Sequence, residues 1–160
     1  MLQTRARLGY SYHTMLTQLI LGCIIIALTV CIHAVALSYT FDAMEKLSPR
    51  LYKLLPSLWV PSMMAACVLM VFLAHIIEIW VWALFYLGVE AMPTLEAALY
   101  FATSSFTTVG FGDVVLDEKW RLISSFQSAN GFILFGWSTA FIFEIMSKLY
   151  KDEKIRKTKS

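Results

Sequence analysis

Long apolar segments constrain this chain more than any other feature of its sequence. Apolar side chains dominate residues 16–37, residues 62–87 and a third run over about residues 120–148. A helix needs about 20 such residues to cross the hydrocarbon core of a bilayer. We therefore predict an all-α membrane protein with three transmembrane helices, a multi-pass protein of the plasma or inner membrane of the cell.

The composition supports this class and excludes several others. Of the 160 residues, 59% are hydrophobic and only 15% are charged, and no long polar stretch could form a separate soluble domain. The net charge of +2 does not predict nucleic-acid binding. Cys23, Cys31 and Cys67 lie inside apolar segments without metal-ligand spacing, which is typical of buried small side chains. We predict no enzymatic activity and no organic cofactor.

Residues 38–60 separate the first two apolar runs. They contain five charged residues and two prolines, with Pro61 directly after them, so we predict that they do not span the membrane. Their leucines recur at roughly helical spacing, which favours a short amphipathic segment lying on the membrane surface. The leucines concerned are Leu47, Leu51, Leu54, Leu55 and Leu58.

A short apolar segment follows the second span. Residues 95–106 would form a helix of about 18 Å, half of a membrane crossing, and Pro93 fits the first turn of that helix. Non-helical backbone at membrane depth is tolerated only where it is buried in protein or lines a water-filled cavity. The pattern therefore predicts a re-entrant pore helix followed by a loop that lines a pore.

That loop, residues 107–113, reads Thr-Thr-Val-Gly-Phe-Gly-Asp. Gly110 and Gly112 permit backbone dihedrals that aim successive carbonyls at one axis, and carbonyl oxygens can replace the water shell of a cation. A Gly-x-Gly between two helices is also an ordinary turn. The spacing of the glycines alone does not decide between these interpretations.

The complete string resembles the selectivity filter of potassium channels, usually Thr-Val-Gly-Tyr-Gly, which is the standard example of ion coordination by carbonyl rings. The resemblance implies that K⁺ is bound in the filter, with Phe111 in the place of the commoner Tyr. The implied ion-binding residues are Thr108, Val109, Gly110, Phe111 and Gly112, with K⁺ at the first four. The implied supporting residues are Thr107, Asp113, Tyr100 and Ser104.

The resemblance covers residues 62–148 as outer helix, pore helix, filter and inner helix. It divides the chain into residues 1–61, an extra transmembrane helix with a cytoplasmic amphipathic linker, the pore domain, and residues 149–160, a basic tail. One filter per chain cannot close a ring, so we predict a homotetramer with fourfold symmetry. Some relatives have two paired Trp residues and a Glu on the pore helix, where this chain has Tyr100, Phe101 and Ser104, so it departs from the family's brace behind the filter.

Gly131 matches the hinge glycine of the family's inner helix, with close helix packing as the alternative, and for Gly136 we predict close packing. The face of this helix that lines the pore is open to two interpretations. The resemblance suggests Ser128, Phe132, Phe135, Thr139 and Phe143. Polarity alone selects Gln127, Asn130, Leu134 and Ser138.

His75 and Glu78 lie one turn apart in the second span, where ionisable groups are costly. One interpretation is a buried polar pair that ties this helix to a neighbour. The other is a proton-sensing or metal-binding role.

The distribution of basic residues predicts the topology. If residues 38–60 and the tail are cytoplasmic, nine of the 13 Lys and Arg are inside and the filter faces outward. This arrangement places the amino terminus outside, which Arg5 and Arg7 oppose, and a first segment that does not fully cross is the alternative. The tail could also contact anionic membrane lipids.

The function predicted from the sequence is passive, potassium-selective conduction. The alternatives are a non-selective cation channel, a non-conducting accessory subunit, or a haem-binding subunit that uses His13, His33 or His75.

Overall fold

The chain folds into four helices in a computed structural model that describes the backbone of residues 2–159 and the side chains of residues 15–158. The helices are α1 (Leu2–Leu54), α2 (Trp59–Gly88), α3 (Leu95–Phe106) and α4 (Arg121–Lys159). Three of them, α1, α2 and α4, are long and apolar enough to cross a membrane. The predicted all-α membrane protein is confirmed in this respect. The side chains of Arg5, Arg7 and His13 lie outside the described residues.

Helix α1 is much longer than the sequence indicated. It has 53 residues, about 80 Å at the helical rise, whereas we expected a break after Leu37. Pro49 lies inside the helix without ending it. The first interruption comes only after Leu54, and α2 begins at Trp59. The prediction of a separate surface segment was therefore wrong, because this stretch continues α1.

The boundaries of the other helices agree better with the sequence. Helix α2 begins three residues before the predicted span, and α3 occupies the predicted residues 95–106. Thr94 is the N-cap of α3, and its hydroxyl accepts a hydrogen bond from the amide of Ala97 at 3.2 Å. Pro93 therefore precedes the cap rather than occupying the first turn, as we had expected. Helix α4 continues through the predicted tail to Lys159.

The fold comprises two compact units, each built from parts of the long helices. Unit 1 contains residues Met1–Val30 and Glu78–Ile133, and unit 2 contains Cys31–Ile77 and Leu134–Ser160. Helix α3 and the loop after it belong to unit 1.

Packing within unit 2 explains why α1 stays helical beyond Leu37. Met44 is buried with Trp59, Met63 and Ile145, and Leu47 and Leu51 pack against this cluster. Leu54, Leu55 and Leu58, the other leucines of the predicted amphipathic stripe, are exposed. Burial of apolar side chains against α2 and α4, rather than against lipid headgroups, stabilises this part of α1.

Candidate functional site

The candidate site begins at the carboxyl end of α3. We call residues 107–113 the glycine loop. Its backbone adopts a positive φ at every second residue, with φ of 61° at Thr108, 56° at Gly110 and 79° at Gly112. Glycine reaches these angles at little steric cost, whereas a residue with a Cβ is strained there. The sequence indicated the two glycines but not Thr108.

The amide groups of the glycine loop point back at α3. Thr108 N–H donates to the Ser105 carbonyl at 3.1 Å. Val109 and Gly110 N–H donate to the Ser104 carbonyl at 3.0 and 3.2 Å. Phe111 N–H donates to the Ser104 hydroxyl oxygen at 3.3 Å. Four successive amides are therefore directed at one turn of the helix.

This arrangement fixes the direction of the loop carbonyls. The N–H and C=O of a planar trans peptide point in opposite directions. Because the amides of residues 108–111 face α3, the carbonyls of the same four peptides, those of Thr107, Thr108, Val109 and Gly110, face away from it. A β-strand would alternate them between two sides. Alternating left-handed residues instead bring successive N–H groups to one side, as in a backbone nest, and leave the oxygens on the other.

Tyr100 links α3 to the far end of the loop. Its hydroxyl donates to the Asp113 carboxylate at 2.7 Å, and the other carboxylate oxygen accepts from Val114 N–H at 3.0 Å. The Tyr100 ring is stacked on that of Phe111, with centroids 6.2 Å apart. The hydrogen bond from Tyr100 lowers the pKa of the Asp113 carboxyl. A Tyr–Asp hydrogen bond thus connects α3 to the end of the glycine loop.

The hydroxyl groups near the end of α3 divide into two kinds. Thr103 donates to the Leu99 carbonyl at 2.7 Å, and Thr107 donates to the Thr103 carbonyl at 2.8 Å, so both bond within their own helix. Ser104 instead accepts from the loop, as described above. Among the predicted supporting residues, Ser104 bonds to the loop backbone, and Tyr100 bonds to Asp113. Thr107 caps the helix.

Helix α4 also forms hydrogen bonds to the end of α3. Gln127 donates to the Ala102 carbonyl at 3.0 Å, and Ser128 donates to the Ser105 carbonyl at 2.9 Å. Gln127 accepts in turn from the Tyr86 hydroxyl at 2.9 Å. The Ser105 carbonyl therefore accepts from both Ser128 of α4 and Thr108 of the glycine loop, so that both segments are bonded to the end of α3.

Gly131 of α4 lies in close contact with the end of α3. A Cβ added at Gly131 would lie 2.0 Å from the Phe106 carbonyl oxygen, closer than any real contact. Nothing lies within 4 Å of a Cβ added at Gly136. Close packing within the chain therefore occurs at Gly131, where we predicted a hinge, and not at Gly136.

The two candidate faces of α4 are clearly separated. Gln127, Asn130, Leu134 and Ser138 are buried against their own chain, so these residues, selected by polarity alone, are not a free surface. Phe132, Thr139 and Phe143 are exposed, and Ser128 and Phe135 are half-buried. The polar residues of α4 instead bind other helices. Asn130 Oδ1, for example, accepts from Thr29 at 2.9 Å and from Trp82 at 3.1 Å.

The two ionisable residues of α2 are both buried, His75 in unit 2 and Glu78 in unit 1. His75 Nε2 lies 2.9 Å from the Ser138 hydroxyl, and His33 Nε2 lies 3.2 Å from the same oxygen. The sequence did not indicate that His33 and Ser138 would join His75. The stacked imidazole rings of the two histidines also do not fit the haem alternative, in which they would approach an iron edge-on from opposite sides.

The protein belongs to the class of all-helical integral membrane proteins. It has three helices of membrane-spanning length and a short helix that ends in a loop with aligned peptides. A comparison with known families matches residues 64–148 to the family described as "Ion channel". This match covers 85 of the 160 residues, so the chain belongs to that ion channel family, which conducts ions passively and is typically not enzymatic. Comparisons with curated proteins and with solved structures found no match.

Proposed function

We propose that the protein is a homotetrameric, potassium-selective channel whose filter is the glycine loop. In this proposal K⁺ is coordinated by backbone carbonyls from Thr108 to Gly112, with ions at Thr108, Val109, Gly110 and Phe111. The filter faces outward in the plasma or inner membrane of a cell, α3 is the re-entrant pore helix, and K⁺ is the only bound ligand that conduction requires.

The observation that carries the proposal is the common direction of the loop amides. Because the amides of residues 108–111 are all bonded to Ser104 or Ser105, the carbonyl oxygens of residues 107–110 are presented together on the opposite face. Three of these oxygens, those of Thr108, Val109 and Gly110, belong to the proposed K⁺ site. A row of oxygen dipoles held at fixed spacing can replace the hydration shell of an ion without binding it tightly. An ordinary turn between two helices would not require four successive peptides to share one orientation.

The exposure of the loop supports assembly into a ring. The side chains of Val109 and Phe111 are 54% and 68% exposed in the single chain, although both are apolar and adjoin the carbonyl row. A single row of oxygens can only half surround an ion, and rotational symmetry is the usual way to complete such a site. Four copies would cover these side chains and enclose the ion, which supports the predicted homotetramer.

The exposed face of α4 supports the same assembly. Phe132 and Phe143 are 72% and 62% exposed, and they share this face with Thr139. We propose that this face, with Ser128 and Phe135 at its edge, lines the cavity below the filter. The buried polar residues of α4 then serve packing within each subunit.

The proposal is tested by ion flux through purified protein in liposomes. We expect K⁺ uptake to exceed Na⁺ uptake by ~10-fold or more, a difference of about 1.4 kcal/mol in barrier height. We also expect native mass spectrometry of the detergent-solubilised protein to give four chains. Equal K⁺ and Na⁺ flux would show that the protein is a non-selective cation channel. A tetramer without flux of either ion would indicate an accessory subunit.

A further inference from the structure

Two buried histidines from different helices meet in unit 2. His33 on α1 is fully buried and His75 on α2 is 5% exposed. Their rings are stacked with centroids 5.2 Å apart and planes inclined by 27°. A ring nitrogen of one lies within 4.8 Å of a ring nitrogen of the other. Ion conduction through a carbonyl loop makes no use of this pair.

Both imidazoles are directed at one hydroxyl. The Nε2 atoms of His75 and His33 lie 2.9 and 3.2 Å from the oxygen of Ser138. A serine hydroxyl has a single proton, so it can donate to only one of the two nitrogens. At least one of the two histidines must therefore donate its own Nε2 proton to the serine oxygen. Three polar atoms converge, and at least one histidine proton lies between them.

The surroundings of these atoms are aromatic. The ring of Phe135 packs on His75 with centroids 4.6 Å apart, and the ring of Trp137 packs on His33 at 5.3 Å. Such contacts orient the two imidazoles. Neutral imidazole is the most common protein ligand for metal ions and suits Zn²⁺, Cu²⁺ and Ni²⁺, whereas K⁺ and other hard cations prefer oxygen.

We propose that His33 and His75 form a binding site for a divalent transition-metal ion such as Zn²⁺, with the Ser138 oxygen as a neighbouring weak ligand. In forming the site, the histidine that donates its Nε2 proton to Ser138 changes tautomer, so that its ring proton moves from Nε2 to Nδ1. Both neutral imidazoles then bind the metal through Nε2 lone pairs, and no proton is lost from either ring. The metal keeps its charge and no electron is transferred. Exchangeable ligands from solution complete the coordination.

The required movement of the two rings is small. Zn–N bonds of 2.0–2.1 Å at a tetrahedral angle place two ligand nitrogens about 3.4 Å apart. The ring nitrogens lie within 4.8 Å of each other in the unliganded arrangement. Closing this gap brings the two nitrogens together by at most about 1.4 Å.

Metal binding is measured on the full-length protein in detergent after treatment with a chelator. We expect isothermal titration calorimetry with Zn²⁺ to give one ion per chain. With Co²⁺ as the probe, we expect visible d–d absorption without a thiolate charge-transfer band. Such a band would place the metal on a cysteine and overturn the proposal.

The variants His33→Gln and His75→Gln can each retain a hydrogen bond to Ser138 while removing a metal ligand. Loss of a second-shell partner already weakens metal binding ~10–100-fold, so we expect each variant to weaken Zn²⁺ binding by more than this. His13→Gln is the matched control, because it removes the third histidine of the chain, and its affinity should equal that of the wild type. Ser138→Ala should bind Zn²⁺ within ~10-fold of the wild type, since a neutral hydroxyl contributes little.

Circular dichroism and thermal unfolding show whether each variant is folded, and the Zn²⁺ stoichiometry of the unaltered protein tests the site without any substitution. Wild-type protein that does not bind Zn²⁺, or unchanged binding in both folded histidine variants, would overturn the proposal. Because these readouts do not involve conduction, they distinguish failure of the metal site from failure of the proposed channel function.

Discussion

The α carbon of Gly131 on α4 lies so close to the carbonyl oxygen of Phe106, the last residue of α3, that a methyl group there would come within 2.0 Å of it. The contact involves backbone on the α3 side, which cannot rotate away as a side chain could. The absence of a side chain at Gly131 therefore sets the distance between α4 and the helix that supports the glycine loop.

We predict that Gly131→Ala destabilises the protein and reduces K⁺ flux. Overpacking of this kind typically costs about 1–3 kcal/mol, because backbone must move to relieve the clash. The free energy of unfolding in mixed detergent is the direct measurement. Gly136→Ala is the matched control: it lies in the same helix with open space around it, and it should gain up to about 1 kcal/mol of helix propensity. Equal stability of the two variants would show that Gly131 serves bending rather than packing.

A second prediction concerns the pair Tyr100 and Asp113. The hydrogen bond from Tyr100 lowers the pKa of Asp113, so its stabilising effect is complete at neutral pH and is lost as the pH falls through that lowered pKa. Tyr100→Phe removes the donor and raises the pKa of Asp113. We therefore expect K⁺ flux of Tyr100→Phe to fall at a higher pH than that of the wild type.

The measurement is flux into liposomes over a series of external pH values. Tyr150→Phe is the control, because it removes the hydroxyl of an exposed tyrosine in α4, far from the loop in sequence. If Tyr100→Phe and the wild type lose flux at the same pH, the hydrogen bond to Asp113 does not maintain the conducting loop.

A third prediction concerns the left-handed residues of the glycine loop. Gly110→Ala places a Cβ at φ of 56°, where an L-residue costs roughly 1–2 kcal/mol, so the chain will relieve the strain by turning a peptide. We expect loss of the preference for K⁺ over Na⁺ in the tetramer. Gly88→Ala, at the open end of α2, is the control and should conduct like the wild type. Unchanged selectivity in Gly110→Ala would show that selectivity does not depend on the alternating left-handed backbone of the loop.

Much of this arrangement could be predicted from local sequence. The spans of α2 and α4 follow from their apolar runs, and the bounds of α3 follow from its length between Pro93 and the two glycines of the loop. Tyr100 and Ser104 were identified as supporting residues because they lie where the family places its brace. Their hydrogen bonds to Asp113 and to the Phe111 amide depend on side-chain directions that sequence spacing does not specify.

The features that the sequence did not predict have a common physical cause, which is tertiary packing. Pro49 and the charges around it indicated a break in α1, but burial of Met44 against α2 and α4 outweighs that local signal. The polar residues of α4 were candidates for a pore lining, yet Asn130 binds Thr29 and Trp82 in the interior. The joining of His33, His75 and Ser138 requires three helices in register, which no single segment encodes.

The last prediction tests the packing of the carboxyl ends of α1 and α4 in unit 2. The Arg156 guanidinium lies 4.3 Å from the ring centroids of both Tyr52 and Trp59, and the Trp59 indole donates to the Ser48 carbonyl at 3.2 Å. Each cation–π contact contributes ~0.5–1 kcal/mol at such a partly exposed position. We therefore expect Arg156→Gln to lower the free energy of unfolding by about 1–2 kcal/mol and to increase protease cleavage after Lys53. Lys157→Gln is the control, because its ion pair with Glu153 involves a side chain that is 76% exposed and contributes little. Equal effects of the two substitutions would mean that the extension of α1 beyond Leu37 is held by apolar packing alone.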